Sequence, residues 1–248
     1  MRWVVKANLP ENPVTVCAVS AVAAEEKAAL ERMGIEVIAV EPSPLLAPPV
    51  ASHADMLLHH LGGERLFTAQ RNTAHCRRLE ELGFVLLDAG AEPQGDYPHD
   101  IPLNVAAMGS CAFIGKRCPE SELTRYYRKN CRCLTVNQGY VKCSVCVIAE
   151  QAMVTADEGI AAAAAAVGMD VLKIVPGGIF IEGYDTGFIG GCCGLVARDT
   201  LVFCGDVRKL ADGERIRAFA REHGVYIEPL TGGIPRDVGG ILPLMEQD

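Results

Sequence analysis

The segment KCSVCVIAEQAMVTADEGIAAAAAAVGMDVLKIVPG, residues 142–177, contains two short apolar runs, a helical pattern and a third apolar run. The first two runs predict a β-hairpin that turns near Glu150-Gln151. In the helical pattern, Thr155 lies three residues before Glu158, which is the spacing of a capping box. Gly168 suits a left-handed helix end before the last strand. The segment therefore predicts a unit of strand, strand, helix and strand.

Similar units recur along the chain. Further hairpin turns are predicted at Gly62-Gly63, at Gly109-Ser110 and near Ala197-Arg198-Asp199, and the third helix is expected to begin at Pro119. The predicted units cover approximately residues 12–42, 53–90, 100–139, 142–177 and 184–232, with a closing segment at 236–244. The first copy is shorter than the others. No linker separates the units, so we expect one domain over residues 1–248.

The order of the units bears on how they are arranged in space. Alternating strands and helices also fit an ordinary doubly wound sheet. The regular spacing of the units favours a closed ring, as does the segment DVGGILPL, which resembles the start of another unit. A strand from that segment would complete the first unit. The predicted fold is therefore α/β, a five-bladed ββαβ propeller with pseudo-fivefold symmetry.

The composition limits the classes of partner and the compartment. Half of the 248 residues are hydrophobic, 22% are charged, and the net charge is −8. This balance argues against nucleic acid or an anionic membrane as a partner. No signal-peptide pattern and no apolar run of about 18 residues is present, so we expect a cytoplasmic protein. Its eleven cysteines are then expected to be mostly reduced and buried. The oligomeric state stays open, with a homo-oligomer as one alternative.

A ring of units would bring distant polar residues together at its axis. The residues that lead the first strand of each unit include His53, Asp55, Asp100, Asn104, Lys142, Cys143, Asp185 and Asp237. Several carboxylates around one point raise one another's pKa unless positive charge lies among them. Lys142 would supply part of that charge, and a guanidinium or amine ligand would supply the rest. The alternative for each acid is an exposed turn or capping residue.

The stretches YPHDIPLN, QGYVKCSVCVIAEQAMVT, DVLKIVPGGI, GYDTGFIGG and DVGGILPL resemble an uncharacterised branch of the pentein, or guanidino-group-modifying, superfamily. The similarity extends from about His53 to Leu244. It implies a five-bladed α/β propeller with its site on the axis. In catalytic members, carboxylates clamp a guanidinium, and a His-x-Asp pair assists a cysteine nucleophile near the C-terminus.

This chain departs from that pattern in two places. The C-terminal segment GGILPL contains no cysteine where the nucleophile would fall. The only His-x-Asp is His53-Ala54-Asp55, in the first half of the chain. The resemblance therefore implies the fold more strongly than the usual deiminase chemistry.

Cys143 is the thiol in register with the axial acids, and we predict it as the nucleophile. Lys142 beside it is expected to lower its pKa. The alternative is a buried strand cysteine with a packing role. Cys143 and Cys146, three apart on a strand, would point to opposite faces and could not share a metal. A zinc site formed by Cys131, Cys133 and Cys143 is less favoured, and we predict no metal.

The glycine-rich stretch GFIGGCCG, residues 187–194, is predicted as the first strand of the fifth unit. No helix follows it, so it does not match a phosphate-binding loop, and we expect no cofactor. Gly187, Gly190 and Gly191 would let backbones approach closely near the axis, or let a ligand lie against the bare main chain. Asp185 is the polar residue of this stretch expected to act in the site. Cys192 and Cys193 are expected to be packing residues.

Two functions from different classes fit these residues. In the first, the protein is a hydrolase of C–N bonds or an amidinotransferase that acts on a guanidino or amidine compound. Asp55, Asp100 and Asp237 would bind the cation, with His53 as acid/base and Cys143 as nucleophile. In the second, the same acidic pocket binds a small cationic metabolite without catalysis. A structural or assembly role is a third alternative, with no specific motif in its favour.

Overall fold

Five small β-sheets surround a common axis in the computed structural model, which describes residues 1–248. The strands are β1 (Arg2–Trp3), β2 (Val14–Ser20), β3 (Glu36–Val40), β4 (Leu58–Gly62), β5 (Arg65–Thr68), β6 (Val85–Asp88), β7 (Ala106–Met108), β8 (Cys111–Gly115), β9 (Arg132–Val136), β10 (Cys146–Ala149), β11 (Ala152–Thr155), β12 (Asp170–Lys173), β13 (Cys193–Ala197), β14 (Thr200–Phe203), β15 (Tyr226–Pro229) and β16 (Leu242–Glu246). The α-helices are α1 (Ala24–Arg32), α2 (Ala54–Leu57), α3 (Ala74–Glu81), α4 (Glu122–Asn130), α5 (Glu158–Ala165) and α6 (Gly213–Glu222).

Four of the sheets have three strands, in the orders β4-β5-β6, β7-β8-β9, β10-β11-β12 and β13-β14-β15. In each, the first two strands form an antiparallel hairpin, and the third runs parallel to the second after a crossover helix. The remaining sheet has the order β1-β16-β2-β3, so the C-terminal strand β16 takes the antiparallel place beside β2. The five-bladed ββαβ propeller with a closing terminal strand is thus confirmed.

The structure confirms the four predicted hairpin turns and the glycine residues predicted to end the helices. The four predicted hairpin turns lie between β4 and β5, β7 and β8, β10 and β11, and β13 and β14. Gly34, Gly83, Gly168 and Gly224 have φ angles of 81°, 85°, 84° and 73° and follow helices, as left-handed C-caps do.

The helix starts differ from the predictions at two places. Helix α5 is capped by Asp157, whose Oδ1 accepts from Ile160 N at 2.7 Å, because Thr155 is still the last residue of β11. Helix α4 begins after Ser121, which forms a capping box with Thr124, and not at Pro119. None of the helices combines the length and the apolar character that crossing a lipid bilayer requires.

The segments that lead into the first strand of each unit are linked around the axis by a closed chain of hydrogen bonds. We call this chain the axial ring. Its bonds run from Asp55 N to Gly239 O (3.1 Å), from Asn104 Nδ2 to Asp55 O (3.3 Å), from Lys142 N to Asn104 Oδ1 (2.8 Å), from Gly190 N to Cys143 O (2.7 Å) and from Gly240 N to Gly191 O (2.8 Å). Every unit contributes at least one group, so the ring ties all five together at the place where a site would lie.

Candidate functional site

One cavity of about 140 Å³ opens at the axial ring. Its lining includes the side chains of Cys143, His53 and Asp237, together with the aromatic rings of Tyr140 and Phe188. We call it the first cavity. The three polar side chains are almost fully buried, with exposures of 3% for Cys143, 3% for His53 and 7% for Asp237. A thiol, an imidazole and a carboxylate therefore line one cavity.

Cys143 lies in a turn just before β10 and not within a strand. Its sulfur accepts a hydrogen bond from Asn104 Nδ2 at 3.0 Å. Burial raises the pKa of the Cys143 thiol well above its ordinary value, and the charges of Asp55 and Asp237 raise it further. The expectation that Lys142 lowers this pKa is wrong, because the two carboxylates dominate the charge around the sulfur. Without a ligand, Cys143 is a neutral thiol.

His53 and Asp237 form the second part of the site. His53 Nδ1 lies 3.8 Å from Asp237 Oδ1. Asp237 is held by two backbone donors, Phe188 N to Oδ2 at 2.8 Å and Gly239 N to Oδ1 at 3.1 Å. Burial raises the pKa of Asp237, while His53 and the two N–H groups oppose that shift. The carboxylate is therefore fixed in orientation and placed beside the imidazole.

Asp55 is buried at the axis close to the Cys143 thiol, and it lines a narrow cavity together with Lys142. Its side chain belongs to the short helix α2 and is 6% exposed. Neither carboxylate oxygen accepts from an N–H or O–H group. A buried carboxylate is stabilised when a cation or a donor joins it. Asp55 therefore contributes negative charge next to the thiol, outside the lining of the first cavity.

Asp100 lies behind the first cavity and acts on it through Tyr140. The Tyr140 hydroxyl donates to Asp100 Oδ2 at 2.5 Å. Burial raises the pKa of Asp100, and the Tyr140 bond opposes that shift. Burial and the Asp100 carboxylate together raise the pKa of Tyr140, so its hydroxyl stays protonated. The Tyr140 ring lies 5.7 Å from the ring of Phe188, and both line the cavity.

The glycines of the stretch at 187–194 lie close to neighbouring backbone, as the first alternative expected, but the predicted strand begins later than expected. Residues Ile189–Cys192 form a 3-10 turn, and the strand begins only at Cys193. A side chain at Gly190 would meet the carbonyl oxygens of Lys142 and Cys143, and one at Gly191 would meet the Asp237 carboxylate. Gly190 and Gly191 therefore hold the catalytic candidates close together rather than forming an open floor.

Only three of the predicted site residues, His53, Cys143 and Asp237, line the first cavity. Asp185 is exposed and has no place in the buried cluster. Lys142 joins the axial ring through its backbone and lines a separate narrow cavity together with Asp55. Burial lowers the pKa of His59 to about 3, and the charge of Lys142 contributes to that shift.

The offset of Asp185 has a simple geometric cause. Asp55, Cys143, Gly190 and Gly239 each lie three residues before the first strand of their sheet or before β16. Asp185 lies eight residues before β13. Gly190 therefore occupies the equivalent place, and the longer lead-in segment carries Asp185 outward.

The aromatic residues of the first cavity were not predicted. Tyr140, Tyr184 and Phe188 all occur in the lead-in segments QGYVKC and GYDTGFIGG. Aromatic faces attract cations, so their presence in the same short segments as the polar residues was the available signal.

Comparison with known proteins adds the family and the fold. A model of a family of unknown function, DUF6873, matches residues 18–242. No curated protein matches the sequence. Among solved structures, an inosamine-phosphate amidinotransferase from Streptomyces griseus is similar with a TM-score of 0.61 and 13% identity, over 100% of this chain and 98% of that one.

Two further structures have similar folds and other activities. Agmatine deiminase from C. jejuni has a TM-score of 0.56 at 10% identity, over 96% of each chain. The dimethylarginine dimethylaminohydrolase from Pseudomonas aeruginosa, complexed with citrulline, has a TM-score of 0.51 at 9% identity, over 88% of this chain and 92% of that one. By their names, all three are enzymes that act on guanidino or amidino compounds, and this chain shares their fold. Because the family model covers most of the chain, the protein belongs to the DUF6873 family.

Proposed function

We propose that the first cavity binds a guanidino or amidine compound and modifies it at a C–N bond, with Cys143 as nucleophile and His53 as acid/base. The observation that carries this proposal is the lining of one cavity by a thiol, an imidazole and a carboxylate. Asp237 lies beside His53 and would orient it and stabilise its protonated form. The similarity of the fold to amidinotransferases and deiminases agrees with this class of reaction.

The charges around the cavity favour a cationic ligand. Asp55 and Asp237 are buried near the thiol, and no lysine or arginine lines the first cavity. A guanidinium pairs with carboxylates through parallel, charge-assisted hydrogen bonds. The rings of Tyr140 and Phe188 would cover its flat faces. A guanidinium therefore supplies positive charge and N–H donors to the carboxylates and a flat cationic face to the aromatic rings.

Binding of such a cation would also activate the nucleophile. Asp55 and Asp237 both raise the pKa of the Cys143 thiol. A cation placed between these carboxylates and the sulfur offsets their charge and stabilises the thiolate. The enzyme would then hold an inert thiol until its substrate arrives.

The reaction can be written with the residues of the cavity alone. His53 accepts the thiol proton, and the Cys143 sulfur bonds to the central carbon of the guanidinium. His53 passes the proton to the leaving nitrogen as the C–N bond breaks. Water, deprotonated by His53, then attacks the same carbon, and the C–S bond breaks to release a ureido product and the thiol. An amine in place of water would give amidino transfer.

A non-catalytic protein that binds a small cation in the same cavity is the second candidate. Two observations favour it. The pKa of the Cys143 thiol is raised, and the C-terminal segment that begins with Gly239 and Gly240 contains no cysteine, where catalytic members of the superfamily have one. The two candidates share the ligand and differ only in turnover.

The test is a search for products with a panel of guanidino and amidine compounds. The enzyme is expected to release ammonia, an amine or a ureido product. Because His53 takes the thiol proton and returns it to the leaving nitrogen, the free enzyme must start with a protonated thiol, and burial holds the pKa of that thiol above its ordinary value. We therefore expect no fall in kcat/KM between pH 7 and pH 9. Binding without any product would leave only the second candidate, and a fall in kcat/KM over that range would contradict a raised thiol pKa.

Asp55→Asn should separate ligand binding from stability. Removing a buried carboxylate that accepts from no N–H or O–H group is expected to stabilise the unliganded protein by about 1–3 kcal/mol, since the neutral amide loses less on burial. The same change should weaken guanidino binding by about tenfold, because a negative charge beside the first cavity is lost, although Asp55 does not line it. Denaturant unfolding and calorimetric titration measure the two effects.

The matched control for stability is Asp185→Asn, an exposed acid expected to change the free energy of unfolding by less than about 0.5 kcal/mol. If Asp55→Asn destabilises the protein or leaves ligand affinity unchanged, Asp55 does not belong to a cation site.

A further inference from the structure

A second cavity of about 210 Å³ lies next to the first. The segment Thr186–Phe188 lines both cavities, so the two spaces adjoin along this segment. The rest of the second cavity is mostly apolar and includes Ile174, Val175 and Ile179. None of the steps proposed for Cys143 and His53 uses this space.

The volumes suggest that one ligand would occupy both spaces. Pockets for small organic ligands commonly measure about 300–1,000 Å³. The first cavity holds about 140 Å³ and the second about 210 Å³, so each alone is below that range. The first has room for the reacting group, and the second has room for the chain attached to it.

The polar groups of the second cavity select against an anionic chain. Its only charged side chain is Asp157, and no lysine or arginine lines it. Ser144 is 3% exposed, and its Oγ is buried without a hydrogen-bond partner. A substrate carboxylate would find no cation here and would lie near Asp157, whereas an ammonium or hydroxyl group would find acceptors.

The exposed residues that line the two cavities also favour an apolar ligand chain. Val175 lines the second cavity and is 62% exposed, and Tyr184 lines the first and is 52% exposed. Large apolar side chains exposed at the mouth of a cavity favour an apolar ligand chain over a charged one.

From these features, and resting on the function proposed above, we infer that the substrate is a guanidino or amidine compound with an apolar chain and no carboxylate. The reacting cation occupies the first cavity, and the chain lies in the second. A hydrogen-bond donor at its far end, such as an ammonium group, reaches Asp157 or Ser144. An amino acid such as arginine is a poor ligand.

Four ligands of graded structure test this inference on the wild-type protein by calorimetric titration: methylguanidine, butylguanidine, agmatine and 4-guanidinobutanoate. Methylguanidine fills the first cavity alone. Butylguanidine should bind at least about tenfold more tightly than methylguanidine, because each buried methylene contributes up to about fourfold. Agmatine should match or exceed butylguanidine, and 4-guanidinobutanoate should bind at least about tenfold more weakly than butylguanidine, since its carboxylate meets Asp157 and no cation.

Val175→Lys adds a cation at the edge of the second cavity, on a side chain exposed enough to accept it. It should improve the affinity for 4-guanidinobutanoate by about tenfold and weaken the binding of agmatine. Tyr226→Lys makes a similar change of charge at an exposed apolar residue outside both cavities, and it should alter neither affinity.

The failure of this inference differs from the failure of the proposed function. If methylguanidine binds, but the longer chains add no affinity or 4-guanidinobutanoate binds as well as butylguanidine, the second cavity is not a substrate subsite. If none of the four ligands binds, both the inference and the proposed function are wrong.

Discussion

Cys143→Ala is expected to abolish turnover of the guanidino substrate, with a fall in kcat/KM of at least about a thousandfold. The substitution removes the only thiol that lines the first cavity, and with it the covalent step. The cation-binding groups stay in place, so the affinity for the ligand should change by no more than about threefold. Product release, ligand affinity and the intact mass of the protein after mixing with substrate measure these effects.

Cys146→Ala is the matched control, because it is equally buried, lies three residues further along and lines neither cavity. It should keep turnover and should still form a mass adduct if one accumulates in the wild type. Undiminished turnover in Cys143→Ala would exclude this thiol as the nucleophile. Loss of turnover in both variants would point to damage to the packing around β10 instead.

The fold could be predicted from the sequence because its signals are local and repeated. Alternating apolar residues, paired glycines at turns and glycines after helices indicate each unit separately. Each of these signals is weak alone, but the same signals occur in five units, and together they support the assignment of the ββαβ repeat. The segment DVGGILPL, which resembles the start of a further unit, indicated how the ring closes, and β16 beside β2 confirms it.

The site could be predicted only in part because the lead-in segments have no periodic pattern. Their lengths differ between units, so the repeat spacing predicts Asp185 on the axis, where the structure has Gly190. The charge near the thiol also differs from the prediction. Lys142 is the chain neighbour of Cys143, but successive side chains in this turn reach different cavities, and the dominant charges come from two other units.

Asn104→Leu should be the most destabilising single change at the axis, with a loss of about 3–5 kcal/mol. Asn104 is fully buried and joins three units, since Oδ1 accepts from Lys142 N at 2.8 Å and Nδ2 donates to Asp55 O at 3.3 Å. Leucine has a similar size and can make neither bond. Two backbone groups would then be buried without partners, and each such group costs about 1–3 kcal/mol.

A loss of that size matters because a domain is typically stable by only about 5–15 kcal/mol. Denaturant unfolding measures it, and Asn137→Leu, an exposed asparagine, should change the free energy of unfolding by less than about 0.5 kcal/mol. If Asn104→Leu is too unstable to purify, Asn104→Ser should still show a smaller loss, because its hydroxyl can replace one bond. A change near zero in both Asn104 variants would mean that the axial ring does not hold the five units together, and the geometry of the first cavity would then need another cause.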